Sequence, residues 1–442
     1  MSSRMLGTAQ SHRQQSTRQF KGMRLTDHYF ELPLDYSQTK GPCIEVFARE
    51  VVDLKKANED LPWMIFFQGG PGFPANRPVF NGGWIAEALK THRLLLLDQR
   101  GTGMSSRILP QTLANFPTPE AQAEYLTHFR ADNIVRDAET IHHTLIGSDK
   151  KWTGIGQSYG GFCLLTYLSF HPEGLEGVII TGGVACVKRQ IEENYRLTYQ
   201  KVLEKNQAFY RHYPEDEAKV KEIVQYLGSH KVMLPSGVPL SPRRFQALGL
   251  CFGADGGFER IHYLIEKAFV DGPNGKEIAY DFLVEVEQLH AFDTNPIFCI
   301  LHESIYAEGY ATRWAAERLR EEFPWTQVDA DRFHFTGEMI YPDMLDDFAH
   351  LQPLKDCANI LAEKDDWLPL YDLDQLAKNT VPVAAISYYE DMYVPIELSR
   401  ETALHIPHFY QWVTNEWEHD GIGQEGGKIL NSLLDKLAAP RL

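Results

Sequence analysis

Short runs of consecutive apolar residues, each ending in a glycine-rich turn, set the pattern of this chain. Trp63-Met64-Ile65-Phe66-Phe67, Leu94-Leu95-Leu96-Leu97 and Val178-Ile179-Ile180 are three of them. A strand reads this way when both of its faces are buried, as in a parallel sheet covered by helices on both sides. Ahead of these runs, residues 24–32 and 44–51 alternate apolar and polar like two half-buried strands, joined by a turn-rich link with Pro33, Gly41 and Pro42. Between the second and third runs, Ile134, Val135, Ala138, Ile141 and Leu145 repeat at helical spacing. Strand alternating with helix predicts an α/β protein with a mostly parallel, doubly wound sheet.

The pattern changes after Lys188. To about Asp343 the chain is helical, aromatic and charged, without buried parallel strands, and this predicts an inserted helical cap. Strands resume at 381–388 and 409–413, and 428–438 reads as a closing helix. The expected organisation is therefore a flexible tail over 1–23, a first part of the core over 24–187, the cap over 188–343 and a second part of the core over 344–442. Neither an internal repeat nor a low-complexity tract is present.

Gly156-Gln157-Ser158-Tyr159-Gly160 lies between a strand-like run and a helix-like one. By itself a G-x-S-x-G arises by chance in about one chain of this length in ten. Its setting makes it informative. A strand running straight into a helix through one sharp turn lifts the central serine clear of the backbone, and flanking glycines keep the turn free of clashes. The same turn leaves the Tyr159 amide at a helix N-terminus, where it faces a developing oxyanion.

The two resumed strands supply partners. Asp391 lies on the loop after the first, with Glu390 beside it as a rival, and His419 lies on the loop after the second. Ligands gather at such strand ends in doubly wound sheets. The order Ser158, Asp391, His419 is that of an α/β-hydrolase triad, in which the histidine takes the serine proton and the acid fixes its tautomer.

Composition narrows the function without naming it. The formal charge of −17 argues against nucleic acid as a partner. No apolar run is long enough to span a membrane. Six scattered cysteines without a C-x-x-C pair read as buried free thiols of a reducing compartment, so a cytoplasmic setting is expected. The first 21 residues lack an apolar signal core; their arginines without acids also suit a transit peptide, and a frayed tail is the simpler reading. Neither H-E-x-x-H nor clustered metal ligands stand out, so no metal and no cofactor is expected. Gly421-Ile422-Gly423-Gln424-Glu425-Gly426 fits G-x-G-x-x-G, but it follows the His419 loop instead of opening a βαβ unit and is read as chance.

Taken together, Gln68-Gly69-Gly70-Pro71-Gly72, Asp98-Gln99-Arg100-Gly101-Thr102-Gly103, Gly156-Gln157-Ser158-Tyr159-Gly160-Gly161, Tyr389-Glu390-Asp391-Met392-Tyr393-Val394 and Glu418-His419-Asp420-Gly421 resemble the longer proline iminopeptidases of the α/β-hydrolase superfamily. Inside the cap, His302-Glu303-Ser304-Ile305-Tyr306 and Phe335-Thr336-Gly337-Glu338-Met339 are similar as well. The resemblance covers nearly everything past residue 24. It implies a metal-free serine exopeptidase acting on peptides with a free N-terminal proline. It also implies an oxyanion hole completed by the Gly69-Gly70 turn, and a structural role for Asp98 and Arg100. Gln68 departs from the histidine of the smaller members, and Thr102 and Met104 depart from a serine and an arginine. The first change is expected to alter loop packing only.

An aminopeptidase must hold a charged amine, which buried carboxylates do through charge-assisted hydrogen bonds. The resemblance implies Glu303 as the anchor, with Glu259 and Glu338 both open as a second acid. An esterase or other aminoacyl hydrolase would keep the triad without the anchor. A non-catalytic binding protein on this fold would be expected to have lost part of the triad, all of which is present. The sequence does not set the oligomeric state.

Overall fold

The computed structural model describes residues 7–38, 40–273 and 275–438. Among these residues nine strands form one sheet, in the order β1-β2-β3-β5-β4-β6-β7-β10-β11. They are β1 (Ser11–Phe20), β2 (Met23–Pro33), β3 (Cys43–Asp53), β4 (Trp63–Phe67), β5 (Arg93–Asp98), β6 (Trp152–Gln157), β7 (Leu175–Thr181), β10 (Val383–Tyr388) and β11 (Phe409–Thr414). A small separate hairpin is made by β8 (Phe269–Gly272) and β9 (Gly275–Ile278). From β5 through β4, β6, β7 and β10 to β11 every pairing is parallel, whereas β1, β2, β3 and β5 pair antiparallel.

The apolar runs are buried on both faces because successive side chains go to different cores. Ile65, Phe67, Leu95, Leu97, Val178 and Ile180 pack with the helices Ala131–Leu145 and Tyr159–Phe170. Met64, Phe66, Leu94, Leu96 and Ile179 pack on the opposite face with Ile429, Leu430 and Leu433 of the helix Gly421–Ala438. This period-two division is the strand geometry applied to a two-sided sheet.

One difference from the expected organisation lies at the N-terminus. Residues 11–20, assigned to the flexible tail, form the edge strand β1, paired with β2 from Ser11↔Glu31 to Phe20↔Met23. The strand is almost wholly exposed, so it has no apolar alternation to reveal it. A polar, arginine-bearing strand also suits a sheet edge, where it discourages pairing with other chains. The signal for it is the two-residue turn, Lys21 at φ 49° and Gly22 at φ 80°, the positive-φ pair of a tight hairpin.

The segment expected to form the cap shares a third apolar core with Ile108, Leu113, Leu126 and Phe129, which precede it, and with Met392. Tyr195, Phe209, Leu248, Phe282, Phe335 and Trp367 belong to a single apolar cluster, which runs past Asp343 before the core strands resume. Arg130 joins cap to core: its guanidinium donates to the carbonyls of Ser304 (2.9 Å), Ala307 (2.7 Å) and Leu368 (2.7 Å) and stacks on Trp367. Among the described residues no helix is long and apolar enough to cross a membrane.

Candidate active site

Ser158 sits between β6 and the helix Tyr159–Phe170 at φ 53°, ψ −124°, a conformation a non-glycine residue holds only when its surroundings fix it. Its amide donates to the Thr181 carbonyl at 2.9 Å, which ties the turn to the end of β7. The turn is tight because the helix starts against the neighbouring strand. A Cβ on Gly160 would lie 2.0 Å from the Phe67 carbonyl oxygen, and one on Gly156 would lie 2.4 Å from the Gly160 carbonyl carbon. Gly160→Ala is therefore expected to destabilise the fold by at least about 3 kcal/mol, at the top of the overpacking range, because backbone and not a side-chain end must give way. A urea midpoint within error of wild type would contradict this steric account.

Asp391 and His419 meet directly. His419 Nδ1 lies 2.7 Å from Asp391 Oδ2, and the other carboxylate oxygen accepts the amides of Tyr393 (2.8 Å) and Val394 (3.0 Å). Since the carboxylate only accepts, Nδ1 carries the proton and Nε2 keeps a lone pair. Asp391 is 1% exposed. The rival Glu390 is half exposed and faces Lys201 at 3.6 Å. The His419 amide is held by the Gly253 carbonyl at 3.1 Å, and the Tyr393 ring meets the imidazole edge-on. Ser158 and His419 flank one glycine corner: a Cβ on Gly183 would lie 1.9 Å from the Ser158 carbonyl oxygen, and one on Gly182 would lie 3.2 Å from His419 Nδ1.

The β4 loop covers the serine from the other side. Gly69 lies so close that its Cβ would come 2.9 Å from that of Ser158, and Gly70, at φ 124°, precedes a cis peptide to Pro71. Tyr159 is the first residue of its helix, so its amide has no acceptor within the helix. The loops beneath are braced by two charged residues. Asp98 accepts from the amides of Ala75 (3.2 Å) and Met104 (2.8 Å) and from Arg77. Arg100 donates to Asp137 and to the carbonyls of Pro33, Leu34 and His128.

The three cap acids lie in three different settings. Glu259 is exposed on the first turn of the helix Gly257–Glu266 and accepts from the Tyr213 hydroxyl. Glu303 is buried, with its two oxygens accepting the amides of Ala315 (3.0 Å) and Ala316 (3.1 Å) at the start of a short helix. Burial raises its carboxyl, although the Ala316 and Ala315 amides and the Thr312 hydroxyl pull the other way. Glu338 keeps some exposure. Burial pushes its carboxyl up to about 8; the charge on His419 opposes this and that on Asp391 adds to it. Gly337 before it packs on Met392 beside Asp391. Burial would lower the His419 imidazole, but the adjacent Asp391, with Glu338 and Asp420 behind it, brings it out above its ordinary value. Sequence reasoning did not name the aromatic walls. Tyr393 stands edge-on to His419, and Tyr306 packs edge-on against Phe162 of the helix that follows Ser158.

Residues 62–226 match the family model described as alpha/beta hydrolase fold, in agreement with the sheet order and the Ser158 turn, and the molecule is an α/β-hydrolase. A proline iminopeptidase of Aeromonas sobria is 48% identical over 417 residues, 93% of this chain and 96% of the relative. One of Aspergillus aculeatus is 35% identical, covering 93% of each. The chain belongs to the proline iminopeptidase family.

Proposed function

We propose that this protein is a serine aminopeptidase that releases N-terminal proline from peptides through an acyl-enzyme. The observation that carries the reading is the Asp391–His419 pair beside the strained Ser158 turn, in a chain 48% identical to a proline iminopeptidase over 93% of its length. Glu338, whose carboxyl is raised by burial against the opposing His419 charge, supplies the acid that an esterase does not need. In this reading Ser158 attacks the prolyl carbonyl while His419 Nε2 takes its proton, with Asp391 stabilising the imidazolium. The Tyr159 amide and the Gly69-Gly70 turn receive the oxyanion. His419 then returns the proton to the leaving amine, and water releases proline by the same steps in reverse. Glu338 holds the substrate's secondary ammonium, and the walls of Tyr306, Tyr393 and Phe162 receive the pyrrolidine ring. Glu303, bonded to Ala315 and Ala316, sets the cap's shape around that slot. The six unpaired cysteines support a reducing, cytoplasmic setting.

The test is a panel of naphthylamides of proline, alanine and N-acetylproline, alongside a neutral ester. Proline with a free amine should be the best substrate by orders of magnitude. Preference for the ester, or equal turnover of the N-acetylated compound, would reject the aminopeptidase and leave the esterase.

The raised Glu338 carboxyl makes a second expectation about pH. The base must be neutral, so kcat/KM falls as pH drops through the value of His419, and the anchor must be ionised, so it falls again as Glu338 gains its proton near pH 8. The two groups interact, so the apparent values belong to the pair. The acid limb of log kcat/KM for a prolyl substrate should have a slope above 1, and Glu338→Gln should reduce it to 1. A slope of 1 in both proteins would remove Glu338 from the binding step.

A further inference from the structure

At the opposite end of the sheet from Ser158, the last two turns of the helix Ala131–Leu145 carry Glu139, His142 and His143. Positions i, i+3 and i+4 share one helix face. Glu139 Oε1 lies 3.4 Å from His142 Nδ1 and 2.9 Å from His143 Nε2, and the three atoms all fall within 4.8 Å of one another. No clustered metal ligands were expected from the sequence, because the spacing is neither H-E-x-x-H nor a cysteine pair. Helix geometry brings these three together all the same.

The hydrogen bonding around His142 leaves an unresolved contact. Its Nε2 lies 2.8 Å from the Lys150 carbonyl, which only accepts, so Nε2 carries a proton. A neutral ring then turns the Nδ1 lone pair toward the Glu139 carboxylate. Nδ1 is buried without a hydrogen-bond partner, and His142 is 1% exposed. In that form Nδ1 and Glu139 Oε1, which also meets His143 Nε2 at 2.9 Å, face each other across 3.4 Å as two acceptors, and either a proton or a cation between them removes the repulsion.

Three further features fit a metal. The 3.4 Å between Glu139 Oε1 and His142 Nδ1 equals the separation of ligands bonded at about 2.0–2.2 Å to a tetrahedral zinc, whereas His143 Nε2, at 2.9 Å from the same oxygen, holds a proton that the metal would displace. The outer partners resemble those that orient metal ligands: the Lys150 carbonyl fixes the His142 tautomer, and Tyr167, itself accepting from Trp152 Nε1, donates to the second oxygen of Glu139. The helix C-terminus adds partial negative charge favourable to a cation.

We infer that Glu139, His142 and His143 form a binding site for a borderline divalent metal such as zinc, with solvent in the fourth position on the partly exposed His143 side. The two-imidazole, one-carboxylate donor set favours zinc or its neighbours over calcium or magnesium. The site is structural. Trp152, against which His142 packs, opens β6, whereas Ser158 follows its end, about 20 Å away at the strand rise. With all three ligands on one helix, the metal would stiffen the end of that helix and hold Glu139 and His142 in the orientations that meet Tyr167 and the Lys150 carbonyl.

The test uses the full chain stripped with a chelator, dialysed and titrated with zinc chloride by calorimetry and by thermal melting. Wild type should take up one zinc through this site and gain of the order of 3 °C in Tm at a hundredfold excess over Kd. His143→Gln removes a ligand at a partly exposed position. It should weaken that binding by more than the 10- to 100-fold typical of losing an outer partner, and abolish the Tm gain. His262→Gln removes the other His–carboxylate cluster of the described residues, with Glu215 and Asp216, and should leave both readings as in wild type. Absence of zinc uptake by wild type, which would mean that a proton on His142 fills the gap, overturns the proposal. So does unchanged binding in His143→Gln. Prolyl hydrolysis should proceed at the same rate in chelator; a loss that zinc restores would overturn the structural role.

Discussion

Ser158→Ala is expected to give a folded protein whose kcat/KM for a prolyl substrate is lower by about 10⁴-fold or more. The size follows from what the hydroxyl does. Without it no acyl-enzyme forms, and His419 has no proton to take in the first step. His419→Ala should be about as severe, because the serine loses its base. Asp391→Asn should be severe but milder, since an imidazole remains, although in the wrong tautomer for part of the time. Folding should survive the serine change, since the tie to β7 runs through the Ser158 amide and not the side chain. Ser158→Gly is a useful companion. Glycine tolerates φ 53°, ψ −124° without the cost a Cβ imposes, so this variant should be equally inactive yet more stable by about 1 kcal/mol. Near wild-type turnover by either variant, after exclusion of contaminating enzyme, would end the serine mechanism.

Local sterics explain why this part of the molecule was legible in the sequence. The glycines around Ser158 are demanded by contacts within a few residues of the turn, and the flanking strand and helix carry their own periodicity. Asp391 and His419 were legible for a related reason: each follows a buried strand, and parallel strands deliver their ends to one edge of the sheet. The sheet itself was readable where burial on two faces gave unbroken apolar runs. It was not readable at β1, whose polar side chains carry no such mark. The cap was legible as helical but not as a shape. Its chain folds through short helices and turns around aromatic side chains, and which acid faces inward depends on contacts remote in sequence. The resemblance implies Glu303 as the anchor, and the sequence does not reveal that its oxygens accept the amides of Ala315 and Ala316. Gly337, next to Glu338, lies close against Val202 and Met392, both remote in sequence. Likewise Glu139, His142 and His143 look like ordinary polar positions of a helix until Lys150 and Tyr167 are seen around them.

The contrast between Glu338 and Glu303 gives the other large expected effect. Glu338→Gln keeps the shape and a hydrogen-bonding side chain but removes the charge that would balance the substrate's ammonium. Truncating one member of a buried charge pair costs about 2–5 kcal/mol, so kcat/KM for prolyl substrates should fall about 30- to 1,000-fold or more. A neutral ester never forms that pair and should lose much less. N-acetylproline substrates should be poor for wild type and hardly worse for the variant. Stability should hold or rise slightly, because between pH 4.5 and about 8 the buried Glu338 carboxyl must take up a proton on folding, a cost the amide does not have. Glu303→Gln should behave differently. Its amide can present only one oxygen where the carboxylate now accepts two backbone amides, so one amide is left without an acceptor in a buried setting. That loss should lower Tm and depress ester and prolyl hydrolysis together, as a distorted cap would. The measurement is both variants on all three substrates with a melting curve for each. If instead Glu303→Gln shows the prolyl-selective loss at unchanged Tm while Glu338→Gln lowers ester and prolyl activity equally, the anchor is Glu303 and the assignment made here is reversed.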